Sequence, residues 1–85
     1  MTRRIEIYGV NQKVLETKYL QNIRRINAIL KRQYETYNNY ENADERLRAR
    51  YTREQYKEVF IDYQLEERRR YIYKLRDVRN GYIYE

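Results

Sequence analysis

The sequence contains no cysteine and no histidine. Without cysteine no disulfide can brace the fold. Without either residue the usual ligands of zinc and most transition metals are gone, so no metal and no cofactor is expected. The commonest general base and the thiol nucleophile are gone as well. The two glycines, Gly9 and Gly81, stand outside any phosphate-cradling loop. Carboxylates are frequent, but they follow helix-surface spacing rather than converging on a point. Catalysis is therefore not expected. Long apolar runs are missing too; the longest are three residues, such as Ala28-Ile29-Leu30 and Val59-Phe60-Ile61. No transmembrane helix is expected, and Met1-Thr2-Arg3-Arg4 leads into no signal-peptide core, which points to a cytoplasmic protein. The basic faces are mixed with acids, which disfavours a helix lying on a membrane.

What is present suits one small domain of 85 residues. Ile, Leu, Val and Phe make up 22% of the chain, just above the ~20% below which chains tend to stay disordered. Twelve tyrosines close the gap. A tyrosine ring buries apolar area but needs a partner for its hydroxyl, which places many of them at the core boundary. Domains this short bury only about 60% of their unfolded surface. Self-association, most simply a homodimer, is the remaining common aid to stability. The net charge is +6, with +5 in residues 1–40, −3 in 41–67 and +4 in 68–85.

The fold class expected is mainly α: an antiparallel helical hairpin with a short third helix and short terminal β-strands. Ile5 and Ile7 alternate with polar neighbours and predict a strand over 3–8, ended by Gly9. Asn11 reads as an N-cap with Val10 and Leu15 as a hydrophobic staple, opening a helix over 12–38. Its apolar stripe is Leu15, Tyr19, Ile23, Ile26, Leu30, Tyr34 and Tyr37. Residues 38–42 form a turn cluster. Asn42 and Glu45 fit a capping box for a short helix over 43–51. Within it Arg46-Leu47-Arg48-Ala49-Arg50-Tyr51 also alternates at the strand period, but Arg, Leu and Ala favour helix. Thr52 and Gln55 fit a second capping box, with Tyr51 and Tyr56 as a staple, opening a helix over 53–79. Asn80-Gly81 ends it, and 82–84 reads as extended.

The C-terminal helix carries two apolar stripes. Ile61, Leu65, Ile72 and Leu75, with Arg68 and Arg79 at the same spacing, would pack on the first helix. In that register Leu30 meets Ile61, Ile26 meets Leu65, Tyr19 meets Ile72 and Ile23 faces Arg68. Tyr56, Val59, Phe60 and Tyr63 form the other stripe and would be left uncovered, except where the Ala43-Leu47-Tyr51 face folds back. They are the candidate interface, because one helix cannot cover two stripes.

Two arginine clusters are candidate nucleic-acid contacts. Arg46, Arg50 and Arg53 share a helical face, with Arg48 alongside. Arg68, Arg69 and Arg70 form the second cluster. Such clusters suit phosphate backbones, since each neutralised phosphate releases a counterion. Tyr51, Tyr71 and Tyr73 could stack on the bases of a single strand. The plain alternative is a solvated face with i, i+4 pairs such as Glu66–Arg70. Glu54, Glu58, Asp62 and Glu66 make an acidic ridge at i, i+4 that opposes uniform wrapping by nucleic acid.

Arg3, Glu6 and Tyr8 around Ile5 and Ile7 resemble the reading strand of ribbon-helix-helix repressors. The likeness ends with this strand. Those domains have short helices joined by a Gly-containing turn, whereas the first helix here is long. No family is assigned, and residues 3–8 are read as a terminal strand.

The function expected is a small non-catalytic regulator that binds nucleic acid through its arginines. The alternative is a protein-interaction module acting through a Tyr/Phe/Arg surface, such as a small inhibitor or assembly factor of a phage or mobile element.

Overall fold

A computed structural model describes residues 3–84. The chain forms β1 (Arg4–Glu6), α1 (Gly9–Asn38), a 3-10 turn (Tyr40–Asn42), α2 (Glu45–Arg50) and α3 (Arg53–Tyr56). A π turn (Lys57–Asp62) then leads without a break into α4 (Tyr63–Arg79) and β2 (Tyr82–Tyr84). α1 and the stretch 53–79 make the antiparallel hairpin, and the fold is mainly α. Facing positions sum to 90 at three heights. Arg53 Nε donates to the Tyr37 carbonyl at 3.0 Å. The Tyr19 and Tyr71 rings lie 6.0 Å apart. Gln12 Nε2 donates to the Val78 carbonyl at 2.8 Å.

The start of α1 differs from the expectation. The helix begins at Gly9, two residues before Asn11, and its N-cap, Tyr8, makes no side-chain capping bond. Gly9 has φ +64°, a left-handed conformation that turns the chain straight from strand into helix. Asn11 is thus already inside the first turn. At the other end, Gly81 has φ +91° and its N–H donates to the Val78 carbonyl at 2.9 Å. Its left-handed backbone ends α4 and releases β2. β2 runs antiparallel to β1, with Ile5 opposite Ile83.

Segment 45–50 is helical, as its composition favours. Its cap is Asp44, whose side chain accepts from the Arg46 N–H at 2.8 Å. The expected Asn42–Glu45 box does not form; Asn42 instead donates to the Asn39 side chain. The second capping box is present in both directions. Gln55 N–H donates to Thr52 Oγ1 at 3.1 Å, and Thr52 N–H donates to Gln55 Oε1 at 2.9 Å.

The core holds Ile26, Leu30, Tyr40, Tyr56 and Ile61, with Leu75 and Val78 buried further along α4. Tyr56 and Ile61 are five residues apart, which puts them on different faces of a regular α-helix. The π turn starts directly after Tyr56 and contains Ile61, and its wider i→i+5 bonding brings both inward. Beyond it the inward positions are Leu65, Arg68, Tyr71, Leu75 and Val78. Ile72, expected to meet Tyr19, is 49% exposed, and Tyr71 takes its place. Arg79, expected on the same stripe, is also exposed.

Candidate nucleic-acid interface

The two arginine clusters have different surroundings. In the second, Arg68 Nη1 donates to Asn27 Oδ1 at 2.9 Å, tying α4 to α1. Arg69 lies 3.9 Å from Glu66 and Arg70 lies 3.1 Å from Glu67. The expected Glu66–Arg70 pair is replaced by these two i, i+3 pairs. All three guanidinium groups are occupied within the fold. In the first cluster, Arg53 bonds the Tyr37 carbonyl and sits 4.3 Å from the centre of the Tyr37 ring. Arg48 Nε donates to the Ala43 carbonyl at 3.1 Å. Arg46 and Arg50 are exposed and make no ion pair among the described residues. Arg53 is therefore separated in role from its neighbours: it fastens the start of α3 to the end of α1.

Tyr56 and Phe60 of the candidate aromatic interface are covered by the chain itself. Tyr56 is 5% exposed. Its ring lies 5.8 Å from Tyr40 and 4.8 Å from Phe60, and Phe60 meets Tyr51 edge-on at 5.3 Å. The Tyr40 hydroxyl donates to the Tyr51 carbonyl, closing residues 40–51 over this face. Ala43 and Leu47 pack there too. The reason is the π turn, which brings Tyr56, Phe60 and Ile61 onto one core. Val59 and Tyr63 remain outside, 48% and 59% exposed. Residues 40–51 thus cover the Tyr56 and Phe60 part of the candidate interface.

The π turn also interrupts the acidic ridge, because Glu58 and Asp62 both lie within it. All four ridge carboxylates are exposed. Asp62 is 3.9 Å from Lys57, and Glu66 pairs with Arg69.

The largest set of free cations is on a surface that the sequence reading did not single out. α1 carries Lys13, Lys18, Arg24, Arg25, Lys31 and Arg32, all exposed. None pairs with a carboxylate among the described residues. The only acids in α1 are Glu16 and Glu35. The face that packs on α4 holds Tyr19, Ile23, Ile26 and Leu30, so helical periodicity puts the cations on the outward side and its flanks. Two signals in the sequence pointed here: the +5 charge of residues 1–40, and the absence of any acid between Glu16 and Glu35. Arg32 lines a shallow depression together with Glu35 and Ala43, and Arg48 of α2 bonds the Ala43 carbonyl.

Other features of the surface are less suited to a ligand. A pocket of about 170 Å³ lies between Tyr19, Lys74, Asp77, Ile83 and Tyr84, smaller than the ~300–1,000 Å³ of small-molecule sites. Among the described residues no group of three potential metal ligands converges, and no helix is long and apolar enough to cross a membrane. Tyr8 donates to Glu6 Oε2 at 2.6 Å, and that bond raises its phenol above the ordinary tyrosine value. No protein-family model matches the chain, nor does any curated protein or solved structure.

Proposed function

We propose that this chain is a small non-catalytic binding protein whose ligand is the phosphate backbone of a nucleic acid. The observation that carries this reading is the row of six exposed cations on α1, from Lys13 to Arg32, none in an ion pair among the described residues. At 1.5 Å per residue the row is about 28 Å long. Arg46, Arg48 and Arg50 extend it beyond the turn. A solvated helix surface normally intersperses acids and bases at i, i+4; here one sign is left alone. The acids that would balance it, Glu54, Glu58, Asp62 and Glu66, are on the other arm of the hairpin. Such segregation steers a polyanion to one edge of the molecule.

The test is binding as a function of salt. Neutralising six phosphates gives a slope of log K against log salt of about −5, and a loss of about a thousandfold between 50 and 200 mM salt. The variant Arg24/Arg25/Lys31/Arg32→Gln should reduce the slope by about four, because each phosphate contact contributes about one. The four side chains are exposed, so circular dichroism should show an unchanged fold. A slope that the variant leaves alone would reject the α1 surface.

A second reading has one observation of its own: Val59 and Tyr63 stand exposed together at the π turn, a feature often found at functional sites. A protein partner docking there would be retained at high salt after nuclease treatment and lost in Tyr63→Ala.

A further inference from the structure

Resting on the nucleic-acid reading above, we propose that the ligand is duplex DNA and that α1 lies in its major groove, with Thr17 and Gln21 toward the base edges. The argument starts from what lies between the cations. Val10, Val14, Thr17, Gln21 and Ala28 recur at helical spacing along the outermost line of α1, and all are exposed. They are short or flexible side chains. Among the described residues Thr17 and Gln21 make no side-chain hydrogen bond. The shallow cleft over this strip is lined by Lys13 and Lys18 as well as by Val10, Val14, Thr17 and Gln21. The two lysines are five residues apart and so flank the strip on opposite sides. The pattern continues: Arg24 and Lys31 follow Lys13 on one flank, while Arg25 and Arg32 follow Lys18 on the other. The helix thus presents a narrow neutral strip between two basic rows.

A major groove has the matching layout. It is about 12 Å wide, admits a helix of about 10–12 Å, exposes base edges on its floor and has a phosphate strand on each side. Duplex RNA does not fit, because its major groove is too deep and narrow for side chains to read. A single strand fits poorly, because it calls for aromatic stacking, and the outer strip has no aromatic residue. Tyr19 is turned against Tyr71 and Tyr37 lies against Arg53, while Tyr34, though 38% exposed, follows buried Leu30 by one turn and so lies off the outer strip. The strip also has a readable chemistry. A glutamine amide can bridge the N6 and N7 atoms of adenine, while alanine and the threonine methyl meet the thymine methyl, a contact also open to valine. The expected preference is for A·T pairs, with a well-placed contact worth roughly 5- to 150-fold over the wrong base.

The experiment is fluorescence anisotropy of the whole chain with a labelled 20-base-pair DNA duplex, the same sequence as duplex RNA, and the DNA single strand. A pool of randomised duplexes supplies the base preference. The expected result is binding to duplex DNA at least about tenfold tighter than to the other two. Thr17→Ala/Gln21→Ala should flatten the base preference and leave the salt slope of a non-specific duplex unchanged. Equal or tighter binding of RNA or of the single strand overturns the groove assignment while sparing the phosphate-binding reading. A base preference unmoved in the double variant overturns the roles of Thr17 and Gln21. No binding to any of the three at low salt removes both readings together.

Discussion

Tyr40→Phe tests whether residues 40–51 are held over the aromatic face by one hydroxyl. Tyr40 is 8% exposed, and its ring packs on Tyr56. Its hydroxyl donates to the carbonyl of Tyr51, the residue that ends α2. The substitution keeps the ring and removes the donor, so the burial of Tyr56 and Phe60 is untouched and the bond alone is lost. A hydrogen bond of this kind contributes about 1 kcal/mol net. In a domain of this size that lowers the melting temperature by about 4–8 °C. The loss is local, because the bond joins the start of the segment to its end. Residues 46–53 contain four arginines, so trypsin should cleave there faster in the variant while α1 stays protected. Thermal melts by circular dichroism and timed proteolysis read the two effects. A melting temperature within about 1 °C of the parent, with unchanged cleavage, would refute the hydroxyl as the fastener. Tyr40→Ala also removes the ring and should cost about 3–5 kcal/mol, a large part of the stability of a chain this short.

Deleting Val59, an exposed residue in the π turn, places Tyr56 four residues before Ile61. Both then lie on one face of an ordinary α-helix, so the melting temperature should hold or rise; an unfolded deletion variant would show that the wide turn is itself required. Gly81→Ala forces an L side chain to φ +91°, at about 1–2 kcal/mol, and a melt indistinguishable from the parent would contradict the left-handed stop. Arg68→Ala breaks the bond to Asn27 and should lower stability slightly without changing the salt slope of nucleic-acid binding. Replacing Arg25 and Arg32 together should reduce that slope by about two, and by more than replacing Arg69 and Arg70, whose charges are already opposed by Glu66 and Glu67; equal effects would count against the α1 surface.

The hairpin was legible because its signals are local and repeated. α1 buries Ile26 and Leu30 at the spacing the stripe predicted, and the Thr52–Gln55 box formed as written. The facing register differs by one residue from the expected one. The misses are shifts of one to three residues that pattern reading cannot resolve. Asn11 was read as a cap because Asn at a helix start is a good acceptor, but the left-handed turn at Gly9 had already started the helix. Asp44 displaced Asn42 as the next cap by the same kind of shift. Ile72 was placed inward on a regular α spacing, whereas the register brings Tyr71 against Tyr19.

The π turn had the largest consequence for the candidate site. Read at 3.6 residues per turn, Tyr56 and Ile61 belong to different faces, and two faces call for two partners. One wide turn merges them, so Tyr56 and Phe60, two of the four candidate interface residues, pack inward while Val59 and Tyr63 stay exposed. With those aromatics withdrawn, the surface that remains distinctive is electrostatic, and charge shows its pairing only in three dimensions. Arg69 and α1 Arg25 look alike in sequence, each in a run of basic residues. In the fold Arg69 has Glu66 within 3.9 Å, while among the described residues Arg25 has only the Asn22 side chain, whose oxygen accepts from it at 2.9 Å. A neutral acceptor leaves the charge uncompensated, and a polyanion arriving at the outer edge of α1 would supply what the fold does not.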